Sequence, residues 1–192
     1  MHELLKILAP TLRRRGLKGS GKYYRMVEGD VAYVVNFQGS TSGNGFYLNL
    51  GAQPVFIPTV SDEPPDIAKL KEYECMIRKR VGGRWSWNAE EAEVHRLVSE
   101  LEKAMDDFFG RARGFKLALA ERSATALLDD FSSGQTKAFA TLALARAAVA
   151  VGQISKAREL VHLGLDLAGD AVILRVKLKA VLKDVEGAEE GD

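Results

Sequence analysis

Cysteine is almost missing from this chain: Cys75 is the only one in 192 residues. A lone thiol excludes an intramolecular disulfide and a multi-cysteine metal site, and it fits a reducing compartment. Histidine is nearly as scarce. None of His2, His95 and His162 has a second histidine four residues on, so no metal motif is present and no cofactor is implied. No apolar run approaches the roughly 20 residues of a membrane span. The first fifteen residues mix Glu3 and Lys6 into their apolar stretch and lack an A-x-A site, so no secretory signal is read and a cytoplasmic protein is expected. Proline is confined to Pro10, Pro54, Pro58, Pro64 and Pro65. The long proline-free remainder, rich in Ala, Leu, Glu, Lys and Arg, favours helices. What is there is an ordinary globular balance, 46% apolar and 28% charged, which excludes a disordered chain. The net charge of +1 hides an asymmetry: 13 Lys+Arg against 8 Asp+Glu over residues 1–87, then 14 against 18.

Periodicity divides the chain in the same place. Leu4, Leu5, Leu8 and Leu12 fall at helical spacing over residues 3–14, with Ile7 beside them and Gly16 closing the helix. After the Gly19-Ser20-Gly21 turn the period becomes two. Strands are expected at 23–26, 31–38, 46–50 and 73–81, with an irregular, proline-punctuated connection over 54–65. The alternation puts Val31, Tyr33, Val35, Phe37, Phe46, Leu48, Leu50, Tyr73, Cys75 and Ile77 on one apolar face. Asn36, Gln38, Tyr47, Asn49, Glu74, Met76 and Arg78 then share the other with Ala32 and Val34.

Helices follow. Asn88 and Glu91 form a capping-box pattern ahead of the stripe Val94, Leu97, Val98, Leu101, Met105 and Phe108. Gly110 and Gly114 bracket a break, a helix spans 117–129, and Ser132-Ser133-Gly134 is a linker. Helices are expected at 136–151, 155–168 and 171–185, before a frayed acidic tail over 186–192. The fold class is therefore α+β: a four-stranded antiparallel sheet with helices packed on one face, then an all-α helical-hairpin extension.

Several ordered pieces carry a resemblance. Arg14-Arg15-Gly16-Leu17-Lys18 precedes Tyr23-Tyr24-Arg25. Val35-Asn36-Phe37-Gln38, Phe46-Tyr47-Leu48-Asn49-Leu50-Gly51 and Glu72-Tyr73-Glu74-Cys75-Met76-Ile77-Arg78 come next, and Trp85-Ser86-Trp87 closes the series. In this the chain resembles the bacterial family catalogued as domain of unknown function 4304, over residues 1–109. The resemblance implies an α+β domain there, leaves 110–192 as the helical extension, and implies no chemistry. Residues 138–171 are similar to one tetratricopeptide repeat, with Leu144-Ala145, Ala157 and Gly164 at its small-residue positions. Thr141 and Ala148 replace its aromatic residues, and Asp170 or Ala171 its proline.

Most motifs have a plain reading. Gly16 to Lys22 fits G-x-x-x-x-G-K, but Tyr23 replaces the Mg²⁺-ligating hydroxyl and a helix precedes the segment where a strand is needed. Glu159, His162 and Asp166 are solvated helix neighbours. Cys75, alternating with Tyr73 and Ile77, is a buried structural thiol. Two features carry function. Arg13, Arg14, Arg15, Lys18, Lys22 and Arg25 form a basic patch near Tyr23 and Tyr24 that either binds a nucleic-acid backbone or faces the acidic helices. Asn36, Gln38, Tyr47, Asn49, Glu74 and Arg78, with Trp85 and Trp87 nearby, offer amides, a phenol and one Arg/Glu pair for a polar ligand or a partner. They include no clear nucleophile or metal cage. The leading expectation is a non-catalytic binding protein that contacts another protein, immunity-like or adaptor-like by analogy. The alternative is nucleic-acid or phosphate-ligand binding through the basic first half, and an enzyme of unrecognised class comes third.

Overall fold

Leu4, Leu5, Leu8 and Leu12 are all buried and make the inner stripe of α1 (His2–Arg14), while Ile7 stays exposed. The structure is a computed structural model that describes residues 2–41, 43–132 and 134–189. α1 ends as its sequence predicts. The Leu17 N–H donates to the Leu12 carbonyl (3.1 Å) and the Gly16 N–H to the Arg13 carbonyl (2.9 Å), a paired arrangement that satisfies the last helix carbonyls.

Five strands follow, not four: β1 (Lys18–Ser20), β2 (Tyr23–Glu28), β3 (Val31–Gly39), β4 (Gly45–Pro54) and β5 (Ile77–Ser86). They pair antiparallel in chain order. β1 escapes a sequence reading because Lys18-Gly19-Ser20 has no alternating apolar residue; it is an exposed edge held by backbone pairing alone. The segment that fits a phosphate loop by sequence is thus a β-hairpin.

The expected fourth strand also moves. Residues 72–74, within and beside it, form a 3-10 turn (Glu72–Glu74), and β5 starts at Ile77 and runs on through Gly82 and Gly83. Tyr73-Glu74-Cys75 mimics strand alternation, but the Glu74 N–H donates to the Lys71 carbonyl and the Cys75 N–H to the Glu72 carbonyl, which turns the chain. Consequently Tyr73 is 47% exposed and does not belong to the apolar face.

The front of the sheet carries Tyr33, Val35, Phe37, Phe46, Leu48, Leu50, Ile77 and Val81, all buried. α2 (Glu91–Arg113) lies across it through Leu97, Leu101, Met105 and Phe108. The capping box is absent: Glu90 is the N-cap residue, and the Asn88 N–H donates to Ser86 Oγ. Gly110 stays inside α2, which breaks only at Gly114. The single helix expected at 117–129 is two, α3 (Phe115–Glu121) and α4 (Ala124–Phe131), because Ser123 Oγ accepts the Ala126 N–H and starts a new helix.

Thr136 caps α5 (Lys137–Ala150) in the same way, and α6 (Ile154–Leu167) and α7 (Val172–Glu189) complete the chain. α7 carries helix through residues 186–189, where fraying was expected; Ser133 and residues 190–192 lie outside the described residues. At the crossing of these helices a Cβ on Gly164 would stand 2.3 Å from Thr141 Oγ1 and 2.8 Å from Leu178. Only glycine lets them approach so closely. One apolar cluster runs from Leu4 to Val185, so the C-terminal helices share a core with the sheet. Polar ties join them too: Gln135 Nε2 donates to the Met76 carbonyl (2.6 Å), and Asp62 accepts from Arg146 (2.7 Å) and Lys177.

Candidate functional site

Strand parity gathers polar residues on the back of the sheet. β3 supplies Asn36 and Gln38, β4 supplies Tyr47 and Asn49, and β5 supplies Arg78 and Arg80. The register sets Asn36 opposite Asn49, Gln38 opposite Tyr47, Asn49 opposite Arg80, and Gly51 opposite Arg78. The side chains then bond across strands. Asn49 Nδ2 donates to Gln38 Oε1 (3.0 Å), and Arg80 donates to Asn49 Oδ1 (3.1 Å) and Gln38 Oε1 (3.3 Å). The Arg80 guanidinium lies over the Tyr47 ring, 4.2 Å from its centroid. Asn36 is buried beside this group and donates to the Lys22 carbonyl (3.3 Å).

Arg80 is the residue that sequence reasoning missed on this face. Its signal was available, since it stands two positions after Arg78 on the same strand and so shares its parity.

The connection from β4 to β5 covers part of the face. Gly51 lets it come down: a Cβ there would stand 2.7 Å from Cys75 Sγ and 3.0 Å from Glu72 Cα. Cys75 is buried, but with Ala32, Val34 and Leu70 on the back of the sheet rather than with Tyr73 and Ile77. Burial pushes its thiol well above the usual range, so it is a poor nucleophile. Glu72 is 7% exposed. Burial pushes its carboxyl up, while the Glu72 and Tyr73 backbone N–H groups and Arg78 pull it partly back.

Arg78 ties the cover in place, donating to the Tyr73 carbonyl (3.5 Å) and to the Gly134 carbonyl. Its carboxylate neighbour is Glu72, not Glu74, whose Oε2 accepts the Lys71 N–H (2.8 Å). Glu74 is therefore removed from the expected set, because the 3-10 turn faces it elsewhere. What remains is an open cleft of about 460 Å³, with Gln38, Asn49, Glu72, Tyr73, Arg78 and Arg80 in its lining.

The tryptophans do not join it. Trp85 is buried and donates to the Val81 carbonyl (3.3 Å), and Trp87 stacks on Phe46 at 4.2 Å on the core side. The basic patch divides as well. Arg15 pairs with Asp106, with one contact at 3.0 Å, and Arg14 lies 3.9 Å from Glu102, both against α2. Arg25 donates to the Leu70 carbonyl (2.6 Å) and stands opposite Lys18 on the β1–β2 edge, while Arg13 and Lys22 are exposed. Among the described residues no group of His, Cys, Asp and Glu could hold a metal ion, and no helix is long and apolar enough to cross a membrane.

The model of the family described as domain of unknown function (DUF4304) matches residues 8–141, and the chain belongs to that family. The matched span includes every lining residue named above. Neither a curated protein nor a solved structure matches the chain.

Proposed function

We propose, from membership of a family whose description names no activity, that the protein is a non-catalytic module that binds another protein through the back-face cleft. One observation carries this reading. Arg78 and Arg80 are held by neutral oxygens, those of Tyr73, Gly134, Asn49 and Gln38, and among the described residues neither stands in ion-pair range of a carboxylate. Each guanidinium is fixed in direction yet keeps its charge, which suits recognition of a partner's acidic or carbonyl groups. The exposed Tyr73 ring and half-buried Tyr47 beside them are of the residue types that anchor protein interfaces. The one cysteine, Cys75, is buried, and burial raises its pKa, which makes it a poor nucleophile. An adaptor or immunity-like role in the cytoplasm fits this surface by analogy. Nucleic-acid binding draws less support, since Arg14 and Arg15 turn toward α2.

Capture from a host lysate with the full chain, beside Arg80→Ala, tests the reading. We expect a protein partner that the variant loses while its thermal melt is unchanged. A partner retained by the variant contradicts the cleft. A capture that nuclease treatment abolishes and that falls steeply with salt selects nucleic acid instead.

A further inference from the structure

Buried polar side-chain atoms in folded proteins are nearly always paired. Among the described residues four are not: Asn36 Oδ1, Glu72 Oε2, Arg78 Nε and Gln135 Oε1. They are not scattered. Asn36 and Arg78 belong to the back face of the sheet, Glu72 lies on it over Gly51, and Gln135 bonds the strand end at Met76. Glu72 and Arg78 also line the cleft. Glu72, 7% exposed, therefore shares the cleft lining with Arg78 and Arg80 and feels the Arg78 charge, with Glu72 Oε2 and Arg78 Nε left without a hydrogen-bond partner.

We propose that the cleft is a carboxylate-binding subsite, in which Arg78 and Arg80 hold a ligand's carboxylate and Glu72 takes up one proton from solvent as it binds. The inference rests on the binding-module reading and names the chemical group recognised. Two guanidiniums in fixed directions match the planar, two-oxygen geometry of a carboxylate. A second carboxylate beside Glu72 cannot stay ionised together with it at close range, so one proton is retained between them. The step is a proton transfer alone: the buffer acid gives up its proton and the Glu72 carboxylate gains an O–H bond. A phosphate dianion brings more negative charge against Glu72 and is disfavoured.

The groups that act on Glu72 are consistent with this. Arg78 of β5 favours its ionised form; Glu74 of its own turn opposes it, and Tyr23 of β2, Tyr73 and Cys75 also couple to it. Burial, the largest influence, raises the Glu72 pKa and so acts in the direction of the protonated form.

Calorimetric titration of the full chain between pH 5.5 and 8.5 tests the proposal, with acetyl-tetraglutamate amide, succinate and inorganic phosphate as probes. We expect both carboxylates to bind more tightly than phosphate, with affinity falling as pH rises and Glu72 loses its proton, by at most about tenfold per pH unit. Glu72→Gln should bind the same probes with a flat pH profile. Arg80→Ala should lose about tenfold or more of affinity, and Arg80→Lys, which keeps the charge without the fork, should lose part of it. Thermal melts establish that each variant is folded; should Arg80→Ala not fold, Arg80→Lys carries the comparison.

Whichever carboxylate binds more tightly identifies the source as an acidic polypeptide or a small free acid. Absence of carboxylate binding, tighter binding of phosphate, or a wild-type pH profile as flat as that of Glu72→Gln overturns the proposal. If the proposal fails while a captured protein partner remains sensitive to Arg80→Ala, the binding-module reading survives it. If the probes bind as expected but capture ignores Arg80, that reading falls and the subsite stands.

Discussion

On the front of the sheet Tyr33, Val35, Phe37, Leu48 and Leu50 are enclosed by helices, whereas on the back Asn36, Gln38, Asn49 and Arg80 bond to one another beside an open cleft. The same strands supply both rows. The front is held by apolar area removed from water, roughly 25 cal/mol per Å², which has no direction and depends on filled volume. The back is held by directed hydrogen bonds, some of them incomplete. Even the polar atom on the front is satisfied: the Tyr33 hydroxyl donates to the Phe109 carbonyl (3.4 Å), and burial pushes its pKa up to about 12. Stability is therefore concentrated on one face and unspent polar capacity on the other.

The largest effect should come from emptying the front. Phe37→Ala removes a fully buried ring between Tyr24 and Phe46 and should cost about 3–5 kcal/mol in urea unfolding. A loss under about 1 kcal/mol would mean that this face is not the stabilising one.

Next is the one place where the back is packed as tightly as the front. Gly51→Ala drives a methyl group toward Cys75 Sγ and the Glu72 backbone and should cost about 1–3 kcal/mol. It should also make the Cys75 thiol react faster with a thiol reagent in the native protein, because lifting the cover exposes it. An unchanged melt and labelling rate would place the cover elsewhere.

A smaller effect of opposite sign is expected from Glu72→Gln. The folded-state pKa of Glu72 is raised, so its contribution to stability is fully present below the ordinary glutamate range and is lost as pH rises through the folded value. The variant should match the wild type below the ordinary glutamate range and melt higher at pH 8. A lower melt at pH 8 would show that the Arg78 partnership outweighs burial.

Arg80→Ala should change stability least, by about half a kcal/mol or less, since Arg80 is exposed and its partners stay bonded to each other. A loss of about 2 kcal/mol or more would make Arg80 a strut of the fold and blunt the contrast between the faces.

The two rows of strand residues were legible in the sequence because side-chain alternation is a local property. Val35 and Phe37 against Asn36 and Gln38 need no knowledge of what they pack on. The α2 stripe and the helical hairpin were legible for the same reason; Cys75 is buried as expected, but by the 3-10 turn that settles over Gly51 and not by strand alternation. Errors arose where two local signals competed. Asn88 and Glu91 make a plausible cap, but the chain leaving β5 ties Asn88 to Ser86 first. The strand expected to stop at residue 81 runs on through Gly82 and Gly83, because pairing with β4 resumes at Trp85.

The candidate site was half legible. Asn36, Gln38, Tyr47, Asn49 and Arg78 follow from parity, whereas Glu74 was placed by an alternation that the 3-10 turn breaks, and Trp85 and Trp87 by nearness in sequence, which says nothing about facing direction.

What the sequence determined by itself is the local pattern: which residues alternate, which lie on one helical stripe, and that one thiol supports no disulfide. Only the tertiary structure decided that Glu72 descends over Gly51 into the cleft it shares with Arg78, that Arg80 reaches Asn49, and that Gly134 joins the cleft lining and accepts from Arg78. Those meetings depend on strand register and on the path of the β4–β5 connection, both set by long-range packing against the whole core. No window of neighbouring residues contains that information.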